Sequence, residues 1–86
     1  MQLGKSLALD FASHQVRVNT IVSSCLHGKS VGERALWGHS PETVPMRREG
    51  TFSELDGAFL LLASNAGSYM TGALLAVDGG CLATLL

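Results

Sequence analysis

The sequence has few charged residues and few cysteines, and each shortage excludes a class of function. Charged residues make up 15% of the 86 residues and the formal net charge is −1. Neither a basic surface for nucleic acid nor an acidic disordered tail is therefore expected. The two cysteines lack framework spacing, which favours a reduced, cytoplasmic setting.

Long hydrophobic runs are also absent. The longest strongly apolar run extends from Ala58 to Ala63, which is far too short to cross a bilayer. The first residues lack a basic region followed by an apolar core, so no secretory signal is predicted. We expect no membrane partner and no nucleic-acid partner.

Apolar residues are abundant for so short a chain, at 47%. A chain of this length forms at most one small domain, here residues 1–86, and buries only about 60–65% of its unfolded surface. The excess of apolar residues indicates a surface that contacts a partner subunit or another part of the same domain.

The first third of the chain predicts a helix followed by a strand. Apolar residues recur at helical spacing over residues 2–13, at Gly4, Leu7, Ala8 and Phe11. Residues 16–22, "VRVNTIV", are rich in β-branched residues and predict a strand. His14, between the two, is expected in a solvent-facing turn.

The rest of the chain predicts a long loop, a second helix and a second strand. Residues 23–50 contain both prolines and little periodicity. Thr51 and Glu54 form a capping-box pattern that begins a helix over residues 52–64. Residues 73–77, "ALLAV", are apolar on both faces, as in a buried parallel strand. The order helix, strand, loop, helix, strand predicts an α/β fold with a right-handed βαβ unit.

Two motifs within the loop suggest ligands but fail on spacing. Gly28-Lys29-Ser30 resembles the end of a phosphate-binding P-loop, yet that motif needs a glycine five residues earlier, where Ser23 stands. A P-loop-like nucleotide binder stays open as a minor alternative. Cys25, His27 and His39 lack zinc spacing, so no metal site is predicted.

Several polar residues are expected to have structural roles. The Asp78 carboxylate should accept local backbone N–H groups beside two flexible glycines. Arg17 and Asn19 should fix the first strand to its neighbours, and Glu54 should cap a helix. Arg47 and Arg48 are expected to be a solvated or interface pair.

Two segments resemble a known family when they are taken together and in order. "KSLALDFASHQVRVNTI" resembles the fifth helix and sixth strand of a classical short-chain dehydrogenase/reductase. "PMRREGTFSELDGAFLLLASNAGSYMTGALLAVDGG" resembles the end of the same fold, with its last helix, Thr-Gly turn and final strand closing on Asp-Gly-Gly. The resemblance covers residues 1–22 and 45–80. It implies the C-terminal third of a Rossmann-like, doubly wound parallel sheet.

The resemblance implies an NAD(P)-dependent oxidoreductase that acts on a carbonyl/alcohol substrate. Such enzymes use a Tyr-x-x-x-Lys pair, an upstream Ser and a Gly-rich cofactor turn. None is present here, since Tyr69 is followed four residues later by Ala73. By alignment the family's Lys falls before Met1. We therefore assign no catalytic residue and expect the chain alone to be inactive.

After its sixth strand the family carries Pro-Gly and then Thr, which hold the nicotinamide of NAD or NADP. The matching positions are Ser23, Ser24 and Gly28, and all three residues depart from the pattern. Residues 23–48 correspond to the family's substrate loop, which has either diverged or been disturbed in its reading frame. The sequence therefore leaves both the substrate and the choice between NAD and NADP open.

The resemblance also implies an oligomer surface. The family's last helix and last strand commonly pack across a two-fold axis, which points to residues 53–64 and 73–82. Self-association or binding to a full-length homologue through this surface is expected. A non-catalytic remnant or interaction module that binds such a homologue is the alternative function, and weak stability is expected for the chain alone.

Overall fold

The structure, a computed structural model, describes residues 2–24, 26–27 and 41–85. Within these residues, two α-helices and four strands form an α/β arrangement, as predicted: α1 (Gln2–Ala12), β1 (Thr20–Ser23), β2 (Leu26–His27), β3 (Gly50–Thr51), α2 (Asp56–Ala63) and β4 (Leu74–Val77). Short 3₁₀ turns lie at Pro41–Thr43, Phe52–Leu55, Asn65–Gly67 and Leu82–Leu85.

The strands form two small sheets of two strands each in the part of the chain that the structure describes. β1 pairs with β4. β2 pairs in parallel with β3, with Leu26 opposite Gly50 and His27 opposite Thr51. The chain divides into two compact units: Met1–Ile21 with Gly57–Leu75, and Val22–Asp56 with Ala76–Leu86. The division falls within β1 and β4 and at the start of α2.

In the first unit, small residues let α1 lie close to its neighbours. Ala8 is only 2% exposed, and a Cβ built on Gly72 would lie 3.6 Å from the Ala8 Cβ. A Cβ on Gly4 would lie 2.6 Å from Thr20 Oγ1, so a larger residue there would force the Thr20 side chain or the helix to shift. After α1 the chain turns at His14, which is exposed as predicted.

The first strand is shorter than predicted, because residues before Thr20 bond to a turn instead of a sheet. The Val18 N–H donates to Thr71 Oγ1 at 3.1 Å, and the Gly72 N–H donates to the Val18 carbonyl at 2.8 Å. These bonds satisfy the Val18 backbone outside a strand ladder. The strand therefore covers Thr20–Ser23 rather than residues 16–22.

The second helix begins with a 3₁₀ turn, Phe52–Leu55, and continues as α2. The Thr51 N–H donates to Glu54 Oε1 at 3.1 Å, so the glutamate half of the predicted capping box is present. Ala58 and Leu62 are partly buried. Phe59, expected on the inward face, is 56% exposed, and Leu60 is 68% exposed. The residues present in the first unit leave much of this helix uncovered.

In the second unit, Val44 and Asp78 are buried beside a turn of two glycines. Gly79 and Gly80 both have positive φ, at +64° and +100°, a conformation that glycine adopts at little cost. The Met46 N–H donates to the Gly79 carbonyl at 3.1 Å. This bond holds the segment after Pro45 against the turn that follows β4.

Candidate functional site

A buried carboxylate organises the turn after β4. Asp78 is 7% exposed. Its Oδ1 accepts the Gly80 N–H at 2.9 Å, and its Oδ2 accepts the Leu82 N–H at 2.8 Å. The structural role predicted for Asp78 is therefore confirmed, because both oxygens stabilise the backbone of the same turn.

An ion pair joins the loop before β3 to the start of the second helix. Arg48 Nη1 and Nη2 donate to Glu54 Oε1 and Oε2 at 2.7 and 2.9 Å, a two-pronged contact between half-exposed side chains. The hydrogen bonds from Arg48, and then the backbone bond from Thr51, lower the pKa of Glu54 from 4.5 to about 2. The same hydrogen bonds raise the pKa of Arg48. The carboxylate thus stays ionised far into acid.

The second unit contains a cleft of about 530 Å³ beside these groups. Its lining is largely apolar or glycine, and Arg48, Glu54 and Asp78 are its ionisable members. A smaller cleft of about 310 Å³ includes Cys81, a free and half-buried thiol. The lining residues that both clefts share are Ser24, Asp78 and Leu82.

Two of the three residues expected to contact the nicotinamide, Ser23 and Ser24, are among the residues that the structure describes. Ser23 is the last residue of β1, and Ser24 follows it, half-buried and lining both clefts. A hydroxyl there can donate to or accept from a carboxamide. Gly28 lies outside the described residues, as do Lys29 and Ser30 of the P-loop-like sequence.

In the first unit, Arg17 holds the end of α2 and the turn that follows. Its Nη2 donates to the Leu62 carbonyl at 2.7 Å, and its Nη1 donates to the Met70 carbonyl at 3.3 Å. A cation at the C-terminal end of a helix is favoured by the carbonyls left unpaired there.

Asn19 fixes the next part of the same turn. Its Nδ2 donates to the Met70 carbonyl at 3.0 Å, and its Oδ1 accepts the Ala73 N–H at 2.9 Å. Both polar ends of the amide are used within the chain. The prediction that Arg17 and Asn19 fix the strand to its neighbours is therefore confirmed.

We also searched the described part of the chain for metal-binding groups and for membrane-spanning helices. Within residues 2–24, 26–27 and 41–85, no group of three His, Cys, Asp or Glu side chains is placed to hold a metal ion. None of the helices described is long and apolar enough to span a membrane. Cys25 and His39, weighed as metal ligands, lie outside the described residues.

Comparison with known proteins shows which family the chain belongs to. The model of the family described as "Enoyl-(Acyl carrier protein) reductase" matches residues 1–82. A solved "short chain dehydrogenase/reductase family protein" superposes with a TM-score of 0.80 at 32% identity, covering 95% of this chain and 34% of that one. The chain belongs to the short-chain dehydrogenase/reductase family, and its fold is the corresponding part of a Rossmann-like α/β sheet.

Particular relatives define what this chain is similar to. It is 38% identical over 86 residues to the peroxisomal 2,4-dienoyl-CoA reductase of Danio rerio, covering 93% of this chain and 28% of that protein. It is 42% identical over 83 residues to a galactitol 2-dehydrogenase (L-tagatose-forming) of Cereibacter sphaeroides, covering 92% and 33%. The chain thus spans about a third of the length of these relatives.

One solved relative carries a cofactor. A putative 2-deoxy-D-gluconate 3-dehydrogenase of Agrobacterium tumefaciens, with bound NADP, superposes with a TM-score of 0.78 at 32% identity. The match covers 95% of this chain and 35% of that one. NAD(P) use is thereby a property of the family.

The sequence did not predict the Arg48–Glu54 pair, because Arg48 was considered together with Arg47. Glu54 was expected to act as a cap, and it does so while also binding Arg48. The signal in the sequence that could have predicted the pair is Arg48, which lies two residues before the glycine that precedes the capping box. The clefts could not be found from the sequence, because they depend on how residues 46–54 and 76–83 come together.

Proposed function

We propose that these residues form part of an NAD(P)-dependent oxidoreductase that acts on a carbonyl/alcohol substrate, and that they do not catalyse hydride transfer alone. The family match over residues 1–82 carries this proposal. Galactitol 2-dehydrogenase, sorbose reductase and L-xylulose reductase are among the relatives that match. They favour a polyol or its ketone as the substrate.

The expected inactivity of the isolated chain rests on its residues. Its sequence contains no Tyr-x-x-x-Lys pair, since Tyr69 is the single tyrosine. It contains no Gly-x-Gly-x-x-Gly turn to receive a pyrophosphate. A dehydrogenase of this class therefore needs residues beyond these to bind and use its cofactor.

The chain's own contribution would be at the nicotinamide end of the cofactor. A bound nicotinamide supplies or accepts the hydride. Ser24, half-buried at the clefts of the second unit, offers a hydroxyl suited to the carboxamide. Ser23 and Gly28 are the neighbouring positions proposed for the same contact. Ser24 is thus the described residue that we propose for the carboxamide, and we assign no described residue to the pyrophosphate.

A second candidate function is a non-catalytic interaction module, and one observation favours it. Phe59, Leu60 and Tyr69 of the first unit are large and exposed, which is the type of surface that proteins bury against a partner. The proposed contact surface is residues 53–64 and 73–82, and its partner is a second copy or a longer homologue. Sensitivity of the oligomeric state to Leu60→Asp tests this candidate.

The oxidoreductase proposal is tested by grafting. In one chimaera, residues 1–22 and 49–86 replace the matching segments of the Cereibacter sphaeroides galactitol 2-dehydrogenase, which keeps its own loop. We expect NAD⁺-dependent galactitol oxidation within about tenfold of the parent enzyme, equal to about 1.4 kcal/mol in activation free energy. A folded chimaera that binds NAD⁺ without turnover would contradict the proposal.

A second chimaera, matched to the first, contains all of residues 1–86. It differs only in the substrate-loop region, residues 23–48. We expect it to bind NAD⁺ as the first does, and to change its preference among polyols. Adding Ser24→Ala to the second chimaera should raise the KM for NAD⁺ if the hydroxyl contacts the carboxamide, and an unchanged KM would remove Ser24 from the site.

A further inference from the structure

The larger cleft of the second unit has an apolar wall. Its apolar side chains come from the end of β4, the turn that follows it and the segment before β3, namely Met46, Ala76, Val77, Leu82 and Ala83. The volume of about 530 Å³ lies within the range of roughly 300–1,000 Å³ that is usual for small-molecule sites. Such sites combine apolar walls with a few polar groups that orient the ligand. The cleft therefore has the size and the lining of a site for a small apolar group.

The charged groups of this cleft already have partners within the chain. Arg48 and Glu54 bind each other through two hydrogen bonds, at 2.7 and 2.9 Å. The two carboxylate oxygens of Asp78 accept the N–H groups of Gly80 and Leu82. A polyol has a hydroxyl group on every carbon atom, so its burial here would leave hydroxyl groups without partners, which is unfavourable. A hydrocarbon group has no such requirement and is favoured by leaving water.

Met46 lies at this cleft with its backbone fixed against the turn after β4. The Met46 N–H donates to the Gly79 carbonyl at 3.1 Å. A Cβ built on Gly79 would lie 2.7 Å from Val44 Cγ1 and 3.7 Å from Met46 Cβ, so the segment lies directly on the glycine. The Met46 side chain is 60% exposed, and methionine is unbranched and flexible. Met46 can thus adapt its side chain to a ligand while its backbone stays in place.

The residue after Met46 has a backbone conformation that is uncommon for a residue with a side chain. Arg47 has a φ of +61°, and its N–H donates to the Val44 carbonyl at 2.8 Å. Its Nη1 donates to the Glu42 carbonyl at 2.7 Å. Conformations of this kind cost free energy and persist where other contacts hold them. Met46 and Arg48 both line the cleft although Arg47 between them does not, so the turn directs both neighbours to the same site.

We infer that this cleft binds a hydrocarbon group of the substrate, and that Met46 is the side chain that sets the preference for hydrocarbon over hydroxylated groups. The inference rests on the proposed function and gives it a substrate class, a ketone or secondary alcohol with an alkyl chain. Ser24, the residue proposed for the nicotinamide carboxamide, lines the same cleft. This class follows from the lining of the cleft and differs from the polyol that the relatives favour.

Binding is tested on the 86-residue chain with isotope-labelled methionine methyl groups. The chain has three methionines, and Met46→Leu identifies the Met46 signal. We expect methyl hexyl ketone to shift the Met46 signal, to leave the Met70 signal unchanged, and to bind about tenfold or more tightly than methyl ethyl ketone, because each additional buried methylene group favours binding. Galactitol should cause no shift. A Met46 signal that methyl hexyl ketone leaves unchanged, or that galactitol shifts equally, overturns the inference.

Selectivity is tested on the second chimaera, which contains Met46. The readout is kcat/KM for the reduction of methyl hexyl ketone by NADH, divided by kcat/KM for the reduction of L-tagatose. In both reactions a hydride goes from NADH to the carbonyl carbon and a proton to its oxygen. Met46→Gln keeps the length of the side chain and adds an amide, so we expect the ratio to fall about tenfold or more.

A matched control places the same amide outside the cleft. Leu9→Gln changes a residue of α1 that is 79% exposed, and we expect it to leave the ratio unchanged. An equal fall in both variants, or no fall with Met46→Gln, overturns the assignment of Met46. Because the readout is a ratio of two substrates, a variant that merely lowers the amount of folded enzyme does not change it.

The two measurements keep the cleft and the proposed function apart. A shifted Met46 signal, together with a folded second chimaera that reduces neither ketone, supports the hydrocarbon site and counts against the proposed function. Reduction of both substrates with a ratio that Met46→Gln does not change supports the proposed function and overturns the inference.

Discussion

Removing the Asp78 carboxylate should destabilise the turn after β4 more than any exposed substitution does. Asp78→Ala leaves the Gly80 and Leu82 N–H groups without their acceptors, which now lie at 2.9 and 2.8 Å. A hydrogen bond to a charged group contributes about 1.5–3 kcal/mol. The two bonds together give roughly 3–6 kcal/mol. Because both amides are only half-buried and can regain water, we expect about 3 kcal/mol.

That loss is large even for a stable globular protein of this length, and the chain alone is expected to be less stable than that. Globular proteins have about 0.05–0.15 kcal/mol of stability per residue, or roughly 4–13 kcal/mol for a chain of this length. The measurement is hydrogen exchange of the Gly80 and Leu82 amides together with urea unfolding. A loss of about 3 kcal/mol corresponds to roughly a hundredfold drop in protection.

Two controls separate the hydrogen bonds from other effects of the substitution. Asp78→Asn keeps one acceptor oxygen and should lose about half as much as alanine, or roughly 1.5 kcal/mol. Asp10→Ala removes a carboxylate from the exposed side of α1 and should change stability by less than about 0.5 kcal/mol. If Asp78→Ala stays within about 0.5 kcal/mol of the original chain, the account of this turn is refuted.

Three further predictions concern the other structured contacts. Arg17→Ala should lower the free energy of unfolding by about 1.5–3 kcal/mol, measured by thermal unfolding, because it removes the donor to the last carbonyls of α2 and to the Met70 carbonyl. Arg17→Lys should recover part of this stability. Equal losses in the two variants would contradict the prediction. Because the pKa of Glu54 is lowered to about 2, its ionised form stabilises the fold. This stabilisation is fully present above pH 4.5 and is lost as the pH falls towards 2. The Tm advantage over Glu54→Gln should therefore shrink across that range, and a constant difference would count against the ion pair. Gly67→Ala should cost about 1–3 kcal/mol, since its Cβ would meet an α2 carbonyl. A Cβ on Gly57 would meet open space, so Gly57→Ala should be neutral or stabilising by about 0.5–1 kcal/mol. Similar changes in stability for the two glycine variants would contradict the packing argument.

Local patterns predicted much of the secondary structure. The spacing of apolar residues predicted the range of α1 to within one residue at its C-terminal end. The capping-box pattern predicted that the second helix begins at Phe52. The Asp78-Gly79-Gly80 turn was predicted because a carboxylate beside flexible glycines binds nearby N–H groups. These features depend on residues close together in the chain, which the sequence displays directly.

Features that depend on distant residues were harder to predict. The first strand was expected over residues 16–22 because its residues are β-branched, but Val18 bonds to Thr71 and Gly72 instead. Phe59 was expected on the covered face of the second helix, but it is 56% exposed. The cleft beside Ser24 needs segments far apart in sequence. Propensity alone contains no information about such pairings.

We propose that these residues belong to a hydride-transferring enzyme and that they do not transfer a hydride alone. The most direct test is the absorbance of NADH and NADPH at about 340 nm with the purified 86-residue chain and a panel of ketoses, polyols and enoyl thioesters. We predict no turnover above buffer for any cofactor and substrate pair. Turnover that stays with the chain through purification and disappears with Ser24→Ala would contradict the account, because the cofactor and catalytic groups would then have to lie within these residues.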